Sequence, residues 1–234
     1  MNTPQSNPNL ARLADAAKKL APLLDRIVFV GGCVTGLLLT DPAAAAVRPT
    51  LDVDAIVAVA SYAQFVVLET RLRELGFHQP HTEGAPICRW LSGDLILDLM
   101  PTDSSILGFS NLWYAAALEH AQRIRIGEVE IRLITAPYFL ATKLEALHGR
   151  GKNDFRMSHD LEDIVTVIDG RAELAGEVRV APADLQHYLS REFKILLSNG
   201  DFVDSLPGHL LPDTASQQRL SLVMKRMQQL IVEG

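Results

Sequence analysis

Leu51-Asp52-Val53-Asp54-Ala55-Ile56-Val57-Ala58-Val59-Ala60 is the stretch on which the fold turns. Its β-branched residues and its alternation read as a β-strand. Asp52 and Asp54, two apart on that strand, leave the same face of a sheet side by side. Two bare carboxylates so placed repel. An apolar strand carries them at an exposed end, or with a cation between them, and hard oxygen ligands at this spacing suit Mg²⁺ or Mn²⁺. Standing alone, the pair is a weak signal and reads first as a solvated strand face.

Towards the N-terminus, Leu10 to Leu24 carries Leu13, Ala16, Ala17 and Leu20 at helical spacing, with Lys18, Lys19 and Asp25 outside that stripe. Ile27 to Val30 is a second apolar, β-branched run. Gly31-Gly32 cuts it, and Cys33 to Thr40 resumes with helical composition up to Asp41-Pro42. A glycine turn between strand and helix lets backbone N–H groups face a phosphate. No G-K-[ST] follows and G-x-G-x-x-G is absent, so P-loop ATPase, kinase and nicotinamide-binding readings lose their usual support.

Towards the C-terminus, Ser61 to Leu75 reads as a helix ended by Gly76, and Ile87 to Leu91 and Asp94 to Met100 as strands around a Ser92-Gly93 turn. Asp98 interrupts the apolar run Leu95-Ile96-Leu97-Asp98-Leu99-Met100. An ionised side chain there is costly without a partner. If its strand lies beside that of Asp52 and Asp54, three carboxylates gather in the arrangement used for two-metal phosphoryl or nucleotidyl transfer. A hairpin is expected from Ile124 to Ile134, after which Pro137 opens a helix and the chain reads as helical to Val232. Gly170 and Asn199 to Pro207 read as connections.

The expected organisation is a disordered tail over 1–9, a sheet domain over 10–134 and a helical domain over 135–234. The fold class is α/β (α+β), a mixed sheet flanked by helices and followed by a helical domain. In the helical part Leu140, Leu144 and Leu147 form a buried stripe, with Lys143 and Arg150 on one flank. A helix from Ser158 buries Leu161, Ile164, Val165 and Ile168, while Asp160 and Asp163, three apart, share the neighbouring face and Glu162 points to solvent. Lys143 and the two aspartates read either as an ion-pair network between helices or as a lysine reaching a triphosphate.

Composition narrows the classes. The 234 residues are 48% hydrophobic and 21% charged, an ordinary globular balance that excludes a disordered or fibrous chain. Net charge is −6, which argues against coating nucleic acid by phosphate neutralisation. The basic residues between Arg123 and Arg171 are cancelled by interspersed acids. Cys33 and Cys88 sit in runs that read as buried, which favours core thiols in a reducing compartment over a disulfide framework. With a polar N-terminus and no 18-residue apolar run, a cytoplasmic protein without a membrane segment is expected. The seven histidines show no ligand spacing, and no G-x-S-x-G elbow occurs.

Taken in order, Phe29-Val30-Gly31-Gly32, Arg48-Pro49-Thr50-Leu51-Asp52-Val53-Asp54 and Leu97-Asp98-Leu99-Met100 resemble the core signature of the DNA polymerase β-like nucleotidyltransferase superfamily. Ala136 to Ala146, with Arg150-Gly151-Lys152 and His159-Asp160-Leu161-Glu162-Asp163-Ile164, looks like the AbiEii/AbiGii nucleotidyltransferase toxins of type IV toxin–antitoxin systems. The resemblance runs from Phe29 to Ile168. It implies that Asp52 and Asp54 bind Mg²⁺, that Asp98 supports the catalytic metal and the attacking hydroxyl, and that Gly31 and Gly32 hold the triphosphate. It further assigns Lys143 to the nucleotide phosphates, with Asp160 and Asp163 carried over from the family's R-D-x-x-D helix. Two departures stand out: His159 replaces the usual basic residue of that helix, and Gly32-Cys33 stands where the wider superfamily has Gly-Ser.

The implied activity is Mg²⁺- or Mn²⁺-dependent transfer of NMP from an NTP to a hydroxyl, on a tRNA 3′ end or a protein side chain, with a cognate antitoxin as partner. The same chemistry on a small molecule of the aminoglycoside kind, and a non-catalytic nucleotide-binding module, are the alternatives.

Overall fold

The computed structural model describes residues 8–59, 61–150 and 154–231. The expected tail over 1–9 is corrected at its inner end: helix α1 spans Pro8–Lys19, and Asn9 is buried in it beside Leu13, Ala16 and Ala17. Met1 to Asn7, Ala60, Gly151, Lys152 and the side chain of Arg150 lie outside the described residues. Tertiary contacts divide the chain into two units, Met1–Gly36 with Arg48–Thr135, and Leu37–Val47 with Ala136–Gly234, so the division is not linear along the sequence.

The first unit is built on a sheet. After α1, Pro22 confines Ala21–Leu23 to a single 3₁₀ turn where a continued helix is expected, since a proline ring cannot extend an α-helix. Strands β1 (Ile27–Val30) and β2 (Asp52–Val57) follow, then helix α2 (Tyr62–Glu74), capped by the Ser61 hydroxyl accepting from the Gln64 N–H. Strands β3 (Arg89–Ser92) and β4 (Leu95–Pro101) are joined through Gly93 at φ 61°, short helices α3 (Ser104–Leu107) and α4 (Tyr114–Glu119) come next, and β5 (Gln122–Ile126) and β6 (Val129–Leu133) close the unit. The strand order is β3-β4-β2-β1-β6-β5. β2 runs parallel to β4 and β1 parallel to β6, while β1/β2, β3/β4 and β5/β6 are antiparallel, so the sheet is mixed. The central strand β1 is buried at every position, as an all-apolar Ile-Val-Phe-Val run requires.

The helix expected over Cys33 to Thr40 is instead a 3₁₀ segment, Gly32–Leu37. Two β-branched residues, Val34 and Thr35, and two glycines in six positions leave too little helix propensity to sustain α-helical turns.

The second unit is helical. It comprises α5 (Ala136–Arg150), α6 (His159–Gly170), α7 (Leu174–Arg179), α8 (Ala183–Leu197), α9 (Gly200–Ser205), α10 (Thr214–Gln218) and α11 (Leu220–Gln228). Asn199 to Pro207 is therefore not a plain connection. The Asn199 side chain caps α9 by accepting from the N–H groups of Asp201 and Phe202, and Phe202 is fully buried. The expected stripes on α5 (Leu140, Leu144, Leu147) and α6 (Leu161, Ile164, Val165, Ile168) are buried. The segment from Leu37 is tied to the end of α6: the N–H groups of Thr40 and Asp41 both donate to the Gly170 carbonyl. A β-carbon on Gly170 would stand 2.7 Å from Leu39. Arg219 bridges Asp41 and the buried Asp169 in the same unit. Among the described residues, no helix is long and apolar enough to cross a membrane.

Candidate active site

The acidic strand is anchored from α1. Asn9 donates from Nδ2 to the Arg48 carbonyl and accepts on Oδ1 from the Thr50 N–H, both at 2.9 Å, so one amide clamps the residues leading into β2. Arg12 donates to the Thr50 carbonyl, and the Thr50 hydroxyl donates to the Asp52 carbonyl at 3.2 Å. Asn9, expected in the tail, was missed, although a signal was there. It lies four residues before Leu13 on the apolar stripe, and a polar residue on a buried stripe needs a hydrogen-bond partner.

From that anchor β2 alternates. Val53 and Ala55 are fully buried, while Asp52 and Asp54 are half-buried on the other face. The parallel register with β4 sets Asp54 opposite Asp98, which brings the three carboxylates to neighbouring positions of one sheet face. Antiparallel pairing of β1 sets Val30 opposite Asp54, and Gly31 follows at φ 71°. A β-carbon at Gly31 would lie 2.0 Å from Asp54 Oδ2, so the glycine makes room for that carboxylate. Gly32 is buried at the start of the 3₁₀ segment.

Sequence reading also missed Arg89. Its Nε donates to Asp98 Oδ1 at 2.8 Å and its Nη2 to Asp98 Oδ2 at 2.7 Å, a two-pronged pair, and Nη2 also reaches Asp52 Oδ2 at 3.2 Å. The signal was present in the hairpin: with Ser92 paired to Leu95, counting outward puts Arg89 opposite Asp98. The Asp98 hydrogen bonds and charge hold the guanidinium above its ordinary pKa against the opposing effect of burial, so it stays cationic. Among the described residues, no three His, Cys, Asp or Glu side chains stand ready to hold one metal ion together. Three carboxylates on one face are the hard-oxygen donor type that Mg²⁺ or Mn²⁺ takes, but as they stand they do not converge on one ion. Two of the three are bridged by an arginine.

Two thiols border the acidic face. Cys33 donates weakly to the Asn9 carbonyl, and burial pushes its pKa up to about 12; burial likewise pushes Cys88 up to about 11. Both are core thiols at neutral pH.

In the second unit Lys143, Asp160 and Asp163 come together. Lys143 Nζ lies 3.0 Å from Asp160 Oδ1 and 2.6 Å from Asp163 Oδ2, and the Asp163 side chain is only 2% exposed. Desolvation pulls the ammonium pKa down, but the two carboxylates outweigh it, and the net shift is upward. Ser158 caps α6 by accepting from the Leu161 N–H. His159, at the departure from the family pattern, pairs with Glu162 of its own helix at 3.2 Å.

No protein-family model and no curated protein matches the chain. Solved structures do. An antigenic nucleotidyltransferase-like protein from Paracoccidioides brasiliensis superposes with a TM-score of 0.50 at 20% identity, over 87% of this chain and 94% of that one. An H. pylori protein assigned as a nucleotidyltransferase gives a TM-score of 0.47 at 14% identity, over 98% of this chain and 94% of that one. At 20% identity the first likeness speaks for the architecture: the chain has a nucleotidyltransferase-like fold, a mixed six-stranded sheet with flanking helices and a helical C-terminal region.

Proposed function

We propose that this chain is a nucleotidyltransferase, moving NMP from an NTP to a hydroxyl acceptor, with Asp52, Asp54 and Asp98 as its reacting face. One observation carries the reading: Asp54 and Asp98 are register partners across β2 and β4, with Asp52 on the same face and Gly31 against Asp54. Mg²⁺ or Mn²⁺, when bound with the triphosphate, would supply positive charge at the phosphoryl oxygens and at the departing pyrophosphate. Asp52 and Asp54 would hold that ion, and Gly31 and Gly32 would let the backbone approach the phosphates. Asp98 orients the acceptor hydroxyl, whose oxygen bonds to the α-phosphorus as the bond to the β-phosphate oxygen breaks. The hydroxyl proton passes to a carboxylate of the face. Lys143, Asp160 and Asp163 take their nucleotide role from the sequence resemblance.

The acceptor is a tRNA 3′ end or a protein side chain, and the setting is a cytoplasmic type IV toxin with a cognate antitoxin. A net charge of −6 offers no bulk attraction for RNA, so an RNA acceptor would be recognised locally at the site. A second reading, nucleotide binding without transfer, is favoured by one feature: Arg89 engages both oxygens of Asp98.

The deciding experiment supplies each labelled NTP with Mg²⁺ and total tRNA to the purified chain and to its Asp52→Ala/Asp54→Ala variant, following label into RNA, protein and pyrophosphate. Transfer that needs the metal and disappears in the variant establishes the enzyme and names donor and acceptor. NTP binding without transfer moves the assignment to the second reading, and absence of NTP binding overturns both.

A further inference from the structure

Resting on the nucleotidyltransferase reading, we infer that Asn9 is the positioning residue for Asp52: its side-chain amide sets where that carboxylate stands on the reacting face. Pairing of β1 with β2 ends at Val30 and Asp54, so Asp52, the first residue of β2, has a strand beside it on the β4 side alone, at Ile96. Arg48 to Leu51, which lead into it, belong to no strand or helix. Ladder pairing thus holds Asp54 from two sides and Asp52 from one.

The start of α1 supplies the missing side. The Asn9 amide donates to the Arg48 carbonyl and accepts from the Thr50 N–H, Arg12 donates to the Thr50 carbonyl, and the Thr50 hydroxyl donates to the Asp52 carbonyl. Both backbone groups of Thr50 are therefore held by α1, two residues before Asp52. Asn9 is buried, and a primary amide offers the donor and the acceptor that this bracket needs without adding a charge beside the carboxylates. The Asn9 backbone carbonyl also accepts from Cys33 Sγ, just past Gly31 and Gly32. One residue thus touches both the glycine turn and the approach to the acidic strand. The two tethers are separable, because a side-chain substitution removes the amide and keeps the carbonyl.

In the transfer assay above, Asn9→Leu, close to the parent in shape and lacking both amide hydrogen bonds, should lose kcat by about tenfold or more, the scale of a misplaced reacting group. NTP affinity should stay within about threefold, since the glycine turn and Asp54 keep their supports. Calorimetric NTP stoichiometry on the same samples counts the folded sites and should match the parent's. Asn9→Gln, which carries the same amide on an arm one carbon longer, should give a rate between the two.

Transfer at the parental rate in Asn9→Leu overturns this inference and leaves the transferase reading standing. A loss of rate matched by an equal loss of NTP stoichiometry does the same, because it marks a role confined to folding. A parent that transfers no nucleotide overturns both. Should Asn9→Leu fail to fold, Asn9→Gln decides: at full stoichiometry its kcat should fall at least about threefold, and a parental kcat overturns the inference.

Discussion

Gly31 and Asp54 are packed so closely that a β-carbon on the glycine would stand 2.0 Å from Asp54 Oδ2 and 2.6 Å from its Cγ. The antiparallel register of β1 and β2 makes this contact, since Val30 pairs with Asp54 and the next residue turns away at positive φ. Two demands therefore meet at Gly31: a left-handed backbone and the absence of a side chain.

Gly31→Ala should lose about 2 kcal/mol or more of stability, from strain in the left-handed region plus the collision. It should also lose transfer activity, since Asp54 must move. Urea unfolding gives the first quantity, and a variant as stable as the parent would show that the backbone relaxes freely here.

Asp54→Asn keeps size and shape while removing the charge, so its melting temperature should stay close to the parent's. Nucleotidyl transfer should fall by about a hundredfold or more, the scale seen when a group acting on transition-state charge is removed. Full activity with a normal melt would remove Asp54 from the reacting face.

Lys143→Met takes the Lys143 ammonium away from the buried Asp163. Breaking such a pair from one side costs about 3 to 5 kcal/mol, and Lys143→Met/Asp163→Asn should recover part of that loss. Denaturant titrations of the three proteins test this, and a single variant of parental stability would contradict the paired role.

Asp41 is held below its ordinary value of 3.8, chiefly by the side-chain hydrogen bond from Arg219 and then by the Ala43 N–H. A depressed folded value means that the charged form stabilises the fold above about pH 4, and that this contribution is lost as pH falls through the folded value. The stability gap between parent and Asp41→Asn should thus be constant from pH 7 to about pH 5 and close on further acidification. A gap that widens in acid would reverse the sign.

With their thiols raised to about 12 and 11 by burial, Cys33 and Cys88 should resist iodoacetamide at pH 8 in the native protein and react in denaturant. Mass spectrometry after timed alkylation reads this directly, and prompt native labelling of either one would place it in an open site.

Local pattern was enough for much of this molecule. Alternation put Asp52 and Asp54 on one face, the apolar run around Asp98 marked a strand needing a partner, and helical spacing identified the stripes of α5 and α6. These features depend on periods of two and 3.6 residues, which a sequence displays directly. Where β-branched residues and glycines opposed the helical pattern, as in Gly32–Leu37, local reading overreached.

Only the tertiary structure decided which distant residues meet. β2 and β4 pair in parallel across an intervening helix and hairpin strand, and that register sets Asp54 against Asp98. Asn9 reaches Arg48 and Thr50 some 40 positions on, and Arg89 closes over Asp98 and Asp52 from a third strand. The physical reason is that repulsion among carboxylates and the demand of a buried amide for partners act through space. A sequence states the need for a partner, and strand order supplies it.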